Sequence, residues 1–235
     1  MNQCLALSLN KLTYEKAYDL QLYLHQQVLE GVLPNLLLLL EHPHVYTLGR
    51  RGKQTDIFID ENSQRELCVE IQQTDRGGEV TYHGPGQLVG YPIVNLKSLG
   101  VGPLTYVQRL EMILINTLRE FAIDARCDNN LRGAWVGDAK IGAIGVKVSR
   151  GITLHGFSLN INPDLSYFDH IVACGIQDCT ATSMTSETLR NWNSYDVEPL
   201  IYRFFGEIFD MHMEWSSLEK LDQTKELESV KIVRA

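Results

Sequence analysis

Five consecutive leucines, Leu36 to Leu40, set the first limit on how this chain can fold. Pro34 precedes the block, and a loop-like segment, Glu41 to Gly49, follows it. The block has the length of a strand, and a strand that is apolar at every position has no face to give to water. It requires cover on both sides, which places it inside a sheet with helices above and below. It is also the longest unbroken apolar stretch. A membrane span needs about 20 such residues, so none is expected.

The rest of the chain supplies the cover. Leu5 to Leu9 reads as a short strand. Thr13 is a fitting N-cap for a helix in which Ala17, Leu20, Leu24 and Val28 recur at helical spacing until Gly31 stops them. Leu67 to Gln73 predicts another strand, and Glu79 to Val94 predicts loops and short strands. Pro103 suits the first position of a helix whose stripe is Val107, Leu110, Leu114, Leu118 and Phe121. Gly133 to Val148 predicts a hairpin turning at Gly137-Asp138, and Ile152 to Ile161 an alternating strand. A short helix is expected over Leu165 to His170, and the last clear helix is expected to start near Pro199. Interleaved strands and helices with hairpin-like neighbours imply an α/β (α+β) fold: a single domain, residues 1–215, with a mixed sheet flanked by helices. Residues 216–235 are polar and read as a tail.

Composition narrows the function. Of 235 residues, 44% are hydrophobic and 21% charged, which excludes disorder and fibrous architectures. A net charge of −8 argues against nucleic acid as a partner. Cysteines at 4, 68, 127, 174 and 179 form no CxxC pair, and the first residues show no secretory signal, so reduced thiols and a cytoplasmic location are expected. His42, His44, His83 and His155 match no zinc spacing, and no metal is expected.

Three segments carry chemistry. Arg76 to Gln87 packs four glycines, a proline, an arginine and a histidine into twelve residues. Glycines let a backbone approach a ligand closely; they also build plain structural turns. The segment is neither a phosphate-binding P-loop nor a dinucleotide fingerprint. Lys140 leads an apolar, glycine-dotted strand. A desolvated lysine there would serve as a base near neutral pH, while a lysine at a strand end also snorkels to water. Cys174 sits beside Gly175, which leaves its sulfur approachable, yet most free cysteines are small buried hydrophobes. Residues alone do not choose between Cys174 and Cys179.

The stretches RGGEVTYHGPGQLVGYPI, KIGAIGVKVSRGITLHGFSLNIN and IVACGI, in this order, together with EHPHVYTLGRR, resemble the octanoyltransferase family, the lipoyl(octanoyl) transferases of lipoic acid synthesis. The resemblance covers roughly residues 5 to 210. One departure is Gly133-Ala134-Trp135, where the family more often has valine in the middle. The resemblance implies a fold like that of biotin and lipoate protein ligases. It implies transfer of an octanoyl or lipoyl group from acyl carrier protein to a lysine of lipoyl domains, those of 2-oxoacid dehydrogenases and the glycine cleavage H protein. It assigns the acyl-thioester to Cys174 and its partner role to Lys140. It assigns acyl contacts to Arg76, Gly77, Gly78, Glu79, Val80, Thr81, Tyr82 and His83, to Ala143, Ile144 and Gly145, and to Gly156, Phe157 and Ser158. Thioester-to-amide transfer is downhill, so no ATP is required; no cofactor and no membrane partner are expected, and a monomer is expected.

The chemistry of the residues agrees. A free thiol is only a few per cent thiolate at pH 7, so the cysteine needs a partner, an oxyanion site and a proton shuttle. Small residues such as Gly142, Ala143 and Gly145 would leave room for an apolar chain. Backbone N–H groups near Cys174 and in the Gly77-Gly78 turn are candidate oxyanion donors. Two other readings compete. An ATP-dependent lipoate or biotin ligase would form an acyl-adenylate without a cysteine. A catalytically dead module would only hold acyl-carrier domains.

Overall fold

The leucine block lies in the middle of a strand, and none of its side chains is more than 1% exposed. The computed structural model describes residues 2–128, 132–172 and 180–221. In chain order the elements are β1 (Asn2–Lys11), α1 (Tyr14–Leu29), β2 (Asn35–Glu41), β3 (Val45–Leu48), α2 (Glu61–Glu66), β4 (Glu70–Gln73), β5 (Val80–His83) and β6 (Gln87–Ile93). There follow α3 (Pro103–Glu120), β7 (Ala134–Val136), β8 (Ala139–Ser149), β9 (Ile152–Asn160), α4 (Met184–Thr188), α5 (Ser194–Phe209), β10 (Met211–Trp215) and α6 (Leu218–Leu221). A 3-10 helix covers Leu165–His170, the span predicted for a short helix.

Seven strands form one sheet in the order β10-β1-β2-β6-β9-β8-β7, and three form a second, β4-β3-β5. In the large sheet β1 runs parallel to β10 and β2, and the remaining neighbours are antiparallel, so the sheet is mixed as expected. The leucines of β2 divide by strand alternation. Leu37 and Leu39 pack with Tyr106, Leu110 and Leu114 of α3 and with Ile201 and Phe205 of α5. Leu36, Leu38 and Leu40 pack with Leu20 and Leu24 of α1 on the opposite face. Each fully buried leucine contributes about 1.5–3 kcal/mol from area removed from water. Among the described residues no helix is long and apolar enough to cross a membrane.

Several boundaries depart from the sequence expectations, each for a local reason. The last long helix starts at Ser194, not near Pro199, because Asn193 and Asp196 form a capping box that nucleates it upstream and leaves the proline inside. Residues 61–66 are helical because Asp60 caps them, so the strand expected from Leu67 is confined to Glu70–Gln73. β9 is buried at every position rather than on one face, since α1 covers one side and α3 with α5 the other. β10 and α4 had no distinct pattern in the sequence.

Candidate active site

The glycine segment closes over the outer part of the large sheet. Thr74 follows β4, and Arg76 turns back to bond Thr47 of β3 through both its hydroxyl (Nε, 3.2 Å; Nη2, 2.8 Å) and its carbonyl (2.6 Å). The arginine is buried, so it acts as a clamp that holds the loop to the small sheet. The Gly49, Arg50 and Arg51 N–H groups donate to the carbonyls of Glu79, Arg76 and Gly78 at 2.9, 3.0 and 3.1 Å. On the other side the Gly77 N–H donates to the Val146 carbonyl of β8 at 3.0 Å. That bond withdraws Gly77 from the candidate oxyanion donors.

Under this loop lies a cavity of about 390 Å³. It receives residues of the loop and β5, of β8 and of β9. Every one of the sequence-assigned acyl-contact residues lines it except Tyr82. Tyr82 alternates to the far side of β5, where its ring stacks on Tyr167 at 4.9 Å and its hydroxyl lies 2.9 Å from His44 Nδ1. It belongs to the core of the small sheet. The small residues of β8 also divide. A methyl on Gly145 would lie 3.1 Å from Arg76 Cδ, so this glycine makes room for the loop. A methyl on Gly142 would lie 3.1 Å from Leu114 Cδ1, so that one makes room for α3 and does not line the cavity.

Lys140 stands at the start of β8, half-buried, on the cavity wall. Its Nζ lies 5.1 Å from the centroid of Trp135, its neighbour across the β7–β8 hairpin. Its backbone is held by a parallel bridge: the Lys140 N–H donates to the Thr180 carbonyl (2.8 Å), and the Thr182 N–H donates to the Lys140 carbonyl (2.9 Å). Buried Glu111 of α3 accepts from the Gly133 N–H at 3.1 Å and from Arg132 at 3.4 Å. Gly133 has φ +126°, and a side chain there would meet Lys140 Cε at 2.9 Å. Cys174 and Cys179 lie outside the described residues.

The opposite end of the site holds Asp75 and Tyr14, which sequence reasoning missed, beside His83 and His155. Asp75, adjacent to the glycine segment, accepts from Lys147 Nζ (2.5 Å), His155 Nε2 (2.7 Å) and the Tyr18 hydroxyl (2.9 Å). Partial burial opposes its charge, but the three donors hold its carboxyl well below the usual carboxylate range. Burial lowers His155, against the pull of Asp75. Burial also brings His83 down to about 3 and His42 down to about 4, so both imidazoles are neutral at pH 7. Tyr14 and Tyr91 line the cavity beside them. The adjacency of Asp75 to Arg76-Gly77 was the one available signal; Tyr14, at a helix start, gave none. Among the described residues no group of three or more His, Cys, Asp or Glu side chains could hold a metal ion.

The mixed sheet and its flanking helices have clear counterparts among solved structures. A bi-partite lipoate protein ligase from Thermoplasma acidophilum matches with TM-score 0.74 over 98% of this chain and 91% of that one, at 14% identity. Lipoate-protein ligase A bound with ATP matches with TM-score 0.73 over 97% and 92%, also at 14% identity. At such identities the likeness is one of fold alone, that of the lipoate protein ligases. Residues 13–206 match the lipoyl protein ligase A/B catalytic domain. The octanoyltransferase of Koribacter versatilis is 43% identical over 226 residues, 94% of this chain and 90% of that protein. The mitochondrial octanoyltransferase LIP2 of Arabidopsis thaliana is 44% identical over 181 residues, 77% of each. The chain belongs to the octanoyltransferases of the lipoyl protein ligase A/B catalytic-domain family.

Proposed function

We propose that the chain transfers an octanoyl group from acyl carrier protein to a lysine of a lipoyl domain, through a thioester on Cys174 with Lys140 as its partner. In the first half-reaction the Cys174 thiolate attacks the carrier's thioester carbonyl, the new carbon–sulfur bond forms, and the carrier thiol leaves. In the second, the lysine amine of the acceptor attacks the same carbonyl, the amide forms, and the Cys174 thiolate is released. Lys140 takes the cysteine proton at the start, gives it to the departing carrier thiolate, and takes the amine proton in the second half-reaction, which avoids an isolated charge in a dry site. The acceptors are lipoyl domains, including those of 2-oxoacid dehydrogenases and the glycine cleavage H protein, and the enzyme works as a monomer in a reducing, cytoplasmic setting.

The observation that carries this reading is the position of Lys140. It lines the cavity, and its backbone is bonded to Thr180 and Thr182, only six and eight residues beyond Cys174 in the chain. The acyl-contact assignments to Arg76 through Thr81, His83, Ala143, Ile144, Gly145, Gly156, Phe157 and Ser158 fit the same cavity. Tyr82 is withdrawn from the set.

Incubation with octanoyl-acyl carrier protein, followed by mass spectrometry, tests the proposal. The expected result is an octanoyl adduct that survives Cys179→Ala and vanishes with Cys174→Ala. The reverse pattern would move the nucleophile to Cys179. An octanoyl-adenylate formed only with ATP would convert the reading to a ligase.

A further inference from the structure

A carboxylate out of reach of water is costly to keep, and Glu111 of α3 is one: its side chain is 2% exposed, and its helix neighbours Leu110, Ile113 and Leu114 are in the core. Its two partners show what it does there. Oε1 accepts from the Gly133 N–H at 3.1 Å and Oε2 from Arg132 Nη1 at 3.4 Å, so one carboxylate holds two successive residues just before β7. β7 has three residues and stands at the edge of the large sheet, too short to fix itself. Its middle is held by a pair of backbone bonds: the Trp135 N–H donates to the Arg126 carbonyl (2.9 Å), and the Arg126 N–H donates to the Trp135 carbonyl (2.8 Å). Its entry is held through Gly133, whose N–H belongs to Glu111.

Both of these points bear on Lys140. At Gly133 the backbone has φ +126°, a conformation suited to glycine, and it passes so close that a Cβ there would lie 2.9 Å from Lys140 Cε and 2.3 Å from the Gly142 carbonyl oxygen. The Trp135 ring centroid lies 5.1 Å from Lys140 Nζ. The lysine therefore has Gly133 against its stem and Trp135 by its head, while its backbone is tied to Thr180 and Thr182. A lysine stem is flexible, so a shift of the Gly133 turn moves the ammonium. We propose that Glu111 is a positioning residue for Lys140: it holds the Gly133 turn, and the turn holds the ammonium at the cavity wall. The proposal rests on the acyl-transfer reading above, in which Lys140 handles the protons. The role is geometric. What the site needs from position 111 is an acceptor oxygen at the Gly133 N–H, and the charge serves to balance Arg132, which lines the same cavity.

Steady-state transfer by the full chain, from a small octanoyl thioester to a lipoyl domain, tests this. Glu111→Met keeps the length of the side chain and removes both acceptor oxygens. Its kcat should fall by about 10- to 100-fold, the scale of a misplacement of about 1 Å, with KM for the donor within about twofold of wild type. Glu111→Gln keeps an oxygen for the Gly133 N–H and should bring kcat back to within about threefold of wild type. Added to Lys140→Ala, Glu111→Met should cost at most about a further twofold, because its effect passes through the lysine. Glu111→Asp keeps the charge and withdraws the oxygens by one methylene. It should show the same loss in kcat alone, about three- to tenfold, and it carries the cycle with Lys140→Ala if the Met variant does not fold. With Lys140→Ala impaired, four results would each overturn the positioning role and leave acyl transfer standing: wild-type kcat in the Met or Asp variant, a raised KM in place of a lowered kcat, a Gln variant as slow as Met, or the same loss with and without the lysine. Wild-type turnover in Lys140→Ala itself would overturn the lysine's part in the acyl-transfer reading, and the positioning role with it.

Discussion

Two lysines stand seven residues apart on β8, and the molecule treats them in opposite ways. Lys147, at the inner end, is bound to Asp75 at 2.5 Å, and Asp75 in turn binds His155 and Tyr18. This hub ties α1, β8 and β9 together under the glycine loop. Lys140, at the outer end, lines the cavity and rests by Trp135, with its backbone stitched to residues 180 and 182. The two sites are about 23 Å apart along the strand. The contrast teaches that an ammonium's role follows from what surrounds it: one is matched to a carboxylate and builds structure, the other borders the space where substrate would lie.

Alanine at each position separates the two roles, and the difference should be the largest effect available here. Lys140→Ala should keep the fold, shifting thermal unfolding by no more than a few degrees. It should cut octanoyl transfer by about 10²- to 10⁴-fold and slow alkylation of Cys174 at pH 7. Lys147→Ala should do the reverse, costing about 1–2 kcal/mol of stability, since the pair is partly exposed, with transfer within about threefold of wild type. Denaturant titration and single-turnover kinetics on both variants decide it. Equal losses of activity would erase the distinction.

The hub also predicts how stability changes with pH. Buried His42 and His83 have folded pKa values of about 4 and about 3, below the unfolded value near 6.5, and His155 is lowered too. The unfolded chain therefore binds more protons than the folded one in that window. The stability these groups contribute is full above about pH 6.5 and is lost as pH falls toward 4. Asp75 is depressed from 3.8, so its contribution is full above about pH 5 and is lost only in stronger acid. Guanidinium midpoints should decline from pH 6.5 downward. Asp75→Asn should lower the whole curve at neutral pH by about 2 kcal/mol and remove the additional loss below pH 4. A wild-type midpoint flat between pH 7 and pH 5 would contradict the neutral-imidazole account.

Much of this was legible in the sequence, because it rests on local pattern. The leucine block, the Pro103 helix start, the Gly137-Asp138 hairpin and the Leu165–His170 turn are all set by residues close in the chain. The acyl-contact assignments came by resemblance, and their shared position on one cavity follows from β5, β8 and β9 converging under the loop. What stayed hidden depends on pairing between distant segments. Asp75 meets His155 only through the fold, 80 positions away. Tyr82 carries no sign in sequence that its ring turns toward Tyr167 instead of the cavity. Tyr82→Phe should accordingly leave the KM for octanoyl donors unchanged and cost about 1 kcal/mol of stability by removing the His44 contact. A raised KM without loss of stability would return Tyr82 to the acyl site.

A third set of cations tests the same rule at the surface. Arg50, Arg51 and Lys53 are all exposed, near the cavity's loop, on a chain whose net charge is −8. Arg51 is already engaged, with Nε 2.8 Å from Glu79 Oε1, and Glu79 is part of the loop over the cavity. Reversing Arg51 would set two negative charges against each other and disturb the acyl site itself. Arg50→Glu with Lys53→Glu leaves that pair intact and removes positive charge where an acidic carrier would dock. Rim charges act mainly on association, and their reach at 0.1 M salt is about 10 Å. The double variant should therefore raise the apparent KM for octanoyl-acyl carrier protein by about three- to tenfold, and the wild-type advantage should shrink as salt rises. A small octanoyl thioester needs no protein interface, so its turnover should be unchanged. Equal losses with both donors would mean that these side chains support the loop, as Arg51 does, and no loss with either would leave them as solvated charge.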